Sequence, residues 1–121
     1  MKRILYAYVG ILGLAIVATG AVAKDFACLM EGSAGAMRVK DCIHTNELSE
    51  TELKKMCDGL SKTAEALGAT AAKITYLSSC PAGYQASCKG LFGKPITAYY
   101  YEHDPLIDLP NGCVMLGGAF K

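Results

Sequence analysis

Residues 49–68, SETELKKMCDGLSKTAEALG, decide how the rest of the chain must be arranged. Ser49-x-x-Glu52 is a capping box, and Glu50 adds negative charge at the positive end of the helix dipole. Leu53, Met56, Cys57, Leu60, Ala64 and Leu67 then recur at spacings of three and four. They form one apolar stripe, while Lys54, Lys55, Lys62 and Glu65 fall largely elsewhere. Gly68 supplies the left-handed residue that ends the helix. A helix with a single apolar stripe has to be covered, and the segments flanking it read as strands. The expected fold is therefore α+β, one main amphipathic helix packed on a small antiparallel sheet and stapled by disulfides.

N-terminal to the helix, Phe26, Cys28 and Met30 alternate with smaller or polar neighbours up to Gly32-Ser33-Ala34-Gly35. Beyond that break, Met37, Val39, Asp41 and Ile43 alternate with Arg38, Lys40, Cys42 and His44. Period-two patterns about a glycine-rich break predict a β-hairpin. A turn centred near Gly35 makes opposed residue numbers sum to about 70, which pairs Cys28 with Cys42. A slip of one residue would separate them.

On the C-terminal side, Lys73–Ser79 is β-branched and aromatic and predicts a strand ending before Pro81. Pro81-Ala82-Gly83 reads as a turn, Tyr84–Lys89 as a second strand and Ile96–Glu102 as a third. Asp104-Pro105 and Pro110-Asn111-Gly112 are turn signals that leave a loop over 103–112. Cys113–Leu116 reads as a short helical turn, and Ala119-Phe120 as a last extended piece. Residues 64–70 and 113–119 echo one another: each is a helical turn ending in Leu, stopped by Gly, and passing into an extended segment.

At the N-terminus, Met1-Lys2-Arg3 precedes the apolar run Ile4–Ala18, and Ala21-Val22-Ala23 gives small residues at both positions a signal peptidase reads. Residues 1–23 are therefore expected to be a secretory signal peptide. An uncleaved membrane anchor is the competing reading, since Ile4–Ala23 is about the ~20 residues a spanning helix needs. Asp25-Phe26-Ala27 before Cys28 is no lipobox. Removing residues 1–23 from the 121 leaves 98, one small domain over 24–121. Losing Lys2 and Arg3 leaves 10 basic against 11 acidic residues, a net charge of −1. No basic stripe remains, which excludes the usual electrostatic footprint of a nucleic-acid binder.

All 6 cysteines lie beyond residue 23, an even number that points to three disulfides in an oxidising compartment. Cys57 sits on the buried stripe and Cys88 is in phase with Tyr84 and Ala86, so Cys57–Cys88 and Cys80–Cys113 complete the expected pairing. Cys80–Cys88 with Cys57–Cys113 is the alternative. None of these spacings matches C-x-x-C redox or zinc-ligand motifs.

Cys80-Pro81, Cys88, Tyr99–Tyr101, Cys113, and Leu116-Gly117-Gly118 with Phe120 resemble a pattern in small exported cysteine-rich bacterial proteins of unknown function. The resemblance covers roughly residues 57–120. It implies an exported stand-alone domain and brings no known activity.

The expected function is a non-catalytic binding or structural module of the envelope or extracellular space. Its expected location is periplasmic or secreted, and its expected partner an envelope or extracellular protein or a glycan. No cofactor or metal is expected, and contact with a membrane only through the signal segment if that is retained. Tyr99 and Tyr101 share one strand face and form a candidate binding platform together with His103. The competing reading makes them a cross-strand aromatic ladder with Tyr100 in the core. Glu102-His103-Asp104 suggests metal or acid–base use, but neighbours on a strand point to opposite faces. His44 stands alone near the hairpin end. The alternative function is a small secreted hydrolase or thiol-redox enzyme, using His103 with nearby carboxylates or a labile disulfide.

Overall fold

The structure is a computed structural model and describes residues 24–102 and 108–121. The proposed signal segment, the turn at Asp104-Pro105 and His103 lie outside the described residues. In chain order the elements are β1 (Phe26–Ala34), β2 (Met37–Thr45), α1 (Glu50–Ala66), β3 (Lys73–Leu77) and β4 (Ala86–Lys89). A 3-10 turn (Leu91–Gly93), β5 (Thr97–Glu102), α2 (Leu109–Met115) and β6 (Ala119–Phe120) follow. The strands form one six-stranded sheet in the order β3-β1-β2-β5-β4-β6, antiparallel throughout. The expected α+β class holds, with a second, shorter helix added to the main one.

Helix α1 starts where the capping box places it, with Ser49 Oγ accepting from the Glu52 backbone N–H at 3.2 Å. Lys54–Glu50 and Lys62–Asp58 ion pairs run along its outer side at i,i+4 spacing. Its end is a Schellman cap: Gly68 takes φ +101°, its N–H donates to Glu65 O, and the Ala69 N–H donates to Ala64 O, both at 3.0 Å. Helix α2 ends in the same way. Gly117 has φ +83°, its N–H donates to Val114 O at 3.0 Å, and the Gly118 N–H donates to Cys113 O at 2.9 Å. The echo between residues 64–70 and 113–119 is thus a shared cap, each delivering the chain from a helix to a strand.

Pro110-Asn111-Gly112, read from sequence as a turn, instead forms the first turns of α2. Asp108 caps it by accepting from the Asn111 N–H at 3.3 Å. A proline at the start of a helix gives up only an N–H that has no partner there anyway.

The hairpin is real, but its register differs by one residue from the expected one. Only Gly35 (φ +62°) and Ala36 lie between Ala34 and Met37, a two-residue loop whose twist suits the strands. Opposed numbers therefore sum to 71, and Cys28 faces Ile43 while Leu29 faces Cys42. Cys28 and Cys42 project from opposite faces of the sheet, which rules out a bond between them.

None of the three expected pairings forms. The disulfides are Cys28–Cys57, Cys42–Cys80 and Cys88–Cys113. Cys28 points at α1 and takes Cys57, the inward cysteine of the helix. Cys42 points the other way and holds residue 80 of the β3–β4 connection. Cys88 lies in register with Ala98 on the helix-covered face and meets Cys113 of α2. The alternative pairing fails with the first, since Cys57 and Cys113 are each bound elsewhere. The bonded residues lie 25 to 38 positions apart, so each bond is worth roughly 3–4 kcal/mol on the chain-entropy model. Three such bonds fit an oxidising, extracytoplasmic environment.

Two apolar clusters result. On the helix face, Cys28, Ile43, Leu53, Cys57, Cys88, Leu91, Ile96, Ala98 and Cys113 form the main core. On the opposite face, Ala27, Leu29, Cys42 and Tyr101 form a smaller one, with Leu77, Cys80 and Tyr99 packed against it. The β2 end is tied down by Thr45, only 1% exposed. Its hydroxyl donates to Pro95 O at 2.8 Å and accepts from the Glu47 and Leu48 N–H groups.

Candidate functional site

The apolar stripe of α1 is not covered along its whole length. Leu53 and Cys57 are buried and Leu60 is partly buried, but Ala64 is exposed and Leu67 is 84% exposed. The Cys28–Cys57 bond clamps the first half of the helix to β1. Beyond it, the second half stands off the far ends of β1 and β2. A cavity of about 270 Å³ lies beneath, among Met30, Ile43, Leu60, Ala98, Tyr100 and Leu91.

The chain leaving the helix closes one end of the cavity. The Thr70 N–H donates to Ser33 O at 2.8 Å and the Ser33 N–H donates to Thr70 Oγ1 at 3.0 Å, fixing Ala69–Ala72 against β1. The other end is formed by Phe92 and Leu116, joined through a Phe92 N–H to Leu116 O bond at 2.8 Å. Phe92 has φ +60°, the left-handed region, which a bulky side chain rarely occupies. The surrounding chain holds this strained residue where its side chain lines the cavity.

Among the described residues, Asp41 is the one acidic residue on this lining. It belongs to the same strand phase as Met37, Val39 and Ile43, so the pleat that points those residues toward α1 points Asp41 there too. Its ladder neighbours are Met30 on β1 and Tyr100 on β5. Among the described residues its carboxylate has no hydrogen-bond or ion-pair partner, and because no fully buried side-chain oxygen there lacks one, the carboxylate of this half-buried residue keeps some contact with solvent. Burial alone pushes the carboxyl up from 3.8 to about 7. The Tyr100 hydroxyl is also pushed up, by burial first and then by the charge of Asp41. A carboxyl that changes charge near neutrality, set in an apolar pocket, is the strongest chemical feature of the described residues. The signal for it lay in β2, where an acid occupies the apolar phase of a strand.

The sequence-derived candidates lie elsewhere. Tyr99 and Tyr101 do share one face, as expected, but it is the face away from α1 and it is occupied. The Cys42–Cys80 bond draws the β3–β4 connection over it, and Tyr101, 8% exposed, donates its hydroxyl to Pro81 O at 2.6 Å. Tyr84 lies with its ring centroid 4.6 Å from that of Tyr99 and 6.5 Å from that of Tyr101, and Lys40 Nζ sits 5.3 Å from the Tyr101 ring. Tyr101 is thus a core residue and not part of an exposed platform. Tyr100, expected in the core, does pack against the main cluster but stays partly open to the cavity. The Tyr101 position is also the extra residue of a β-bulge, because Asp41 faces Tyr100 while Lys40 faces Glu102.

His103 and Asp104 lie outside the described residues, and Glu102 is 3.7 Å from Arg38 Nε. His44 Nε2 lies 2.9 Å from Asp25 Oδ1. Among the described residues no three His, Cys, Asp or Glu side chains converge as metal ligands, no cysteine is free, and no helix is long and apolar enough to cross a membrane.

Fold and site together describe a small disulfide-stapled α+β domain with a ligand-sized apolar pocket holding one acid. Compared with family models, curated proteins and solved structures, the chain finds no match.

Proposed function

We propose that this protein is an exported, non-catalytic binding module that takes a small, mainly apolar molecule into the pocket beneath the second half of α1. The observation that carries the reading is the cavity of about 270 Å³ with an unpartnered carboxyl in its wall. Engineered apolar cavities of about 150 Å³ hold benzene, so this one has room for roughly ten non-hydrogen atoms. An apolar wall with one polar group is also the usual make-up of a small-molecule site, the first giving affinity and the second orientation. The apolar run Ile4–Ala18 behind Lys2 and Arg3 supports export, with action in the periplasm, at the envelope or outside the cell. Membership of the small exported cysteine-rich proteins is part of the same proposal.

Methyl-labelled protein titrated with a fragment library tests the binding claim. Hits should shift the methyl resonances of Met30, Ile43, Leu60 and Ala98 together. Hits that move only surface methyls remote from α1 would contradict it.

A further inference from the structure

We propose that the pocket selects molecules carrying one ammonium group on a compact apolar body, with the Asp41 carboxylate as counter-ion. This rests on the reading of the pocket as a binding site and adds the chemical class of the ligand.

Asp41 is faced from several segments of the fold. Helix α1 contributes Leu60, Ser61 and Ala64 to the lining, and β1 contributes Met30 and Gly32. The segment after α1 adds Ala69, Thr70 and Ala72, and the 3-10 turn and the end of α2 add Leu91, Phe92 and Leu116. From β5 come Ala98 and Tyr100, and from β2 itself Val39 and Ile43. Among the described residues, Tyr100 is the only other titratable group on this lining, which includes no Lys, Arg or His.

A negative charge set among such walls has lost part of its hydration without gaining a partner, a costly state. Three kinds of guest respond differently to it. An anion adds a like charge with no cation to offset it. A neutral guest leaves the carboxyl protonated or unpaired. An ammonium group supplies the missing partner through a charge-assisted hydrogen bond, and its apolar body takes up the remaining volume. Near neutral pH the carboxyl is about half ionised already, so its proton is released at little cost when the cation arrives.

Binding should then depend on pH in a defined direction. Only the ionised carboxylate pairs with ammonium, and the carboxyl titrates at about 7. Apparent affinity scales with the competent fraction, so an amine should bind up to about 90-fold more weakly at pH 5 than at pH 8.

Isothermal titration of the purified, oxidised protein with octylamine, octan-1-ol and octanoate, each at pH 5 and pH 8, reads this directly. At pH 8 octylamine should bind about tenfold or more tighter than octanol, with octanoate weakest. Octylamine should lose its advantage at pH 5, while octanol changes little. In Asp41→Asn, a neutral variant of the same shape whose fold is checked by its NMR spectrum, octylamine should fall to the affinity of octanol. Octanol binding as tightly as octylamine at pH 8, or an amine preference that survives in Asp41→Asn, overturns the ammonium assignment and leaves the pocket a binding site for neutral molecules. Folded protein that binds none of the three probes overturns the pocket reading itself.

Discussion

Asp41 and Tyr100 stand opposite one another across the β2–β5 ladder, on the helix-covered side of the sheet, next to the point where β5 carries its extra residue. Both side chains border the same cavity, and each is shifted toward its protonated form by burial. The sheet therefore presents a carboxyl and a phenol to an apolar space whose lining, among the described residues, holds no cation.

The first expected outcome concerns stability against pH. The folded state holds the Asp41 proton more tightly than the unfolded chain, because its carboxyl is raised from 3.8 to about 7. Between those values the native state binds more protons, so this group makes stability fall as pH rises from about 4 to 7 and level off above. Asp41→Asn removes the penalty. Urea unfolding should show the variant more stable by roughly 2–4 kcal/mol at pH 8 and nearly equal to the parent at pH 4. Parallel pH profiles for the two proteins would contradict the assignment.

Gly118 is required by its surroundings. A Cβ there would lie 2.3 Å from Cys88 Sγ and 2.9 Å from Cys113 Sγ, so even alanine must displace β6 or the disulfide. Gly118→Ala should cost about 2–3 kcal/mol by overpacking. Gly59, in the middle of α1 with nothing within 4 Å of its would-be Cβ, is the control. Gly59→Ala should stabilise by about 0.5–1 kcal/mol. Thermal and urea unfolding of both variants check the contrast, and equal effects would sink it.

Thr45 links three backbone groups through one buried hydroxyl. Thr45→Val keeps the shape and leaves the Pro95 carbonyl and two N–H groups without that partner. The expected loss is about 2–3 kcal/mol. A loss under about 0.5 kcal/mol would mean that water replaces the hydroxyl.

Much of this fold was legible because local chemistry decided it. Ser49 and Glu52 mark where α1 begins, Gly68 where it ends, and the period-two segments lie where the strands lie. What escaped depended on one-residue parity or on distant contacts. A loop of two residues turns Cys42 to the far side of the sheet, so the expected Cys28–Cys42 bond failed. The other two expected pairings failed on contacts between distant elements. Pro110 carries the same turn signal whether it starts a loop or a helix, and Asp108 decides which. Tyr101 is covered by Tyr84 and by the connection that Cys80 anchors across the sheet, contacts that no local pattern contains. Asp41 stands in the apolar phase of β2, a signal that was not singled out from the sequence. The cavity around it was not legible there, since it arises where α1 leaves the sheet.

The most direct test of the account is a carbon-13 NMR titration of the Asp41 carboxyl in the purified protein. The account predicts a midpoint near 7, the mark of an unpartnered carboxyl held in an apolar pocket. A midpoint near the ordinary aspartate value of about 3.9 would show a solvated or paired carboxylate, and would contradict both the pocket and the binding role drawn from it.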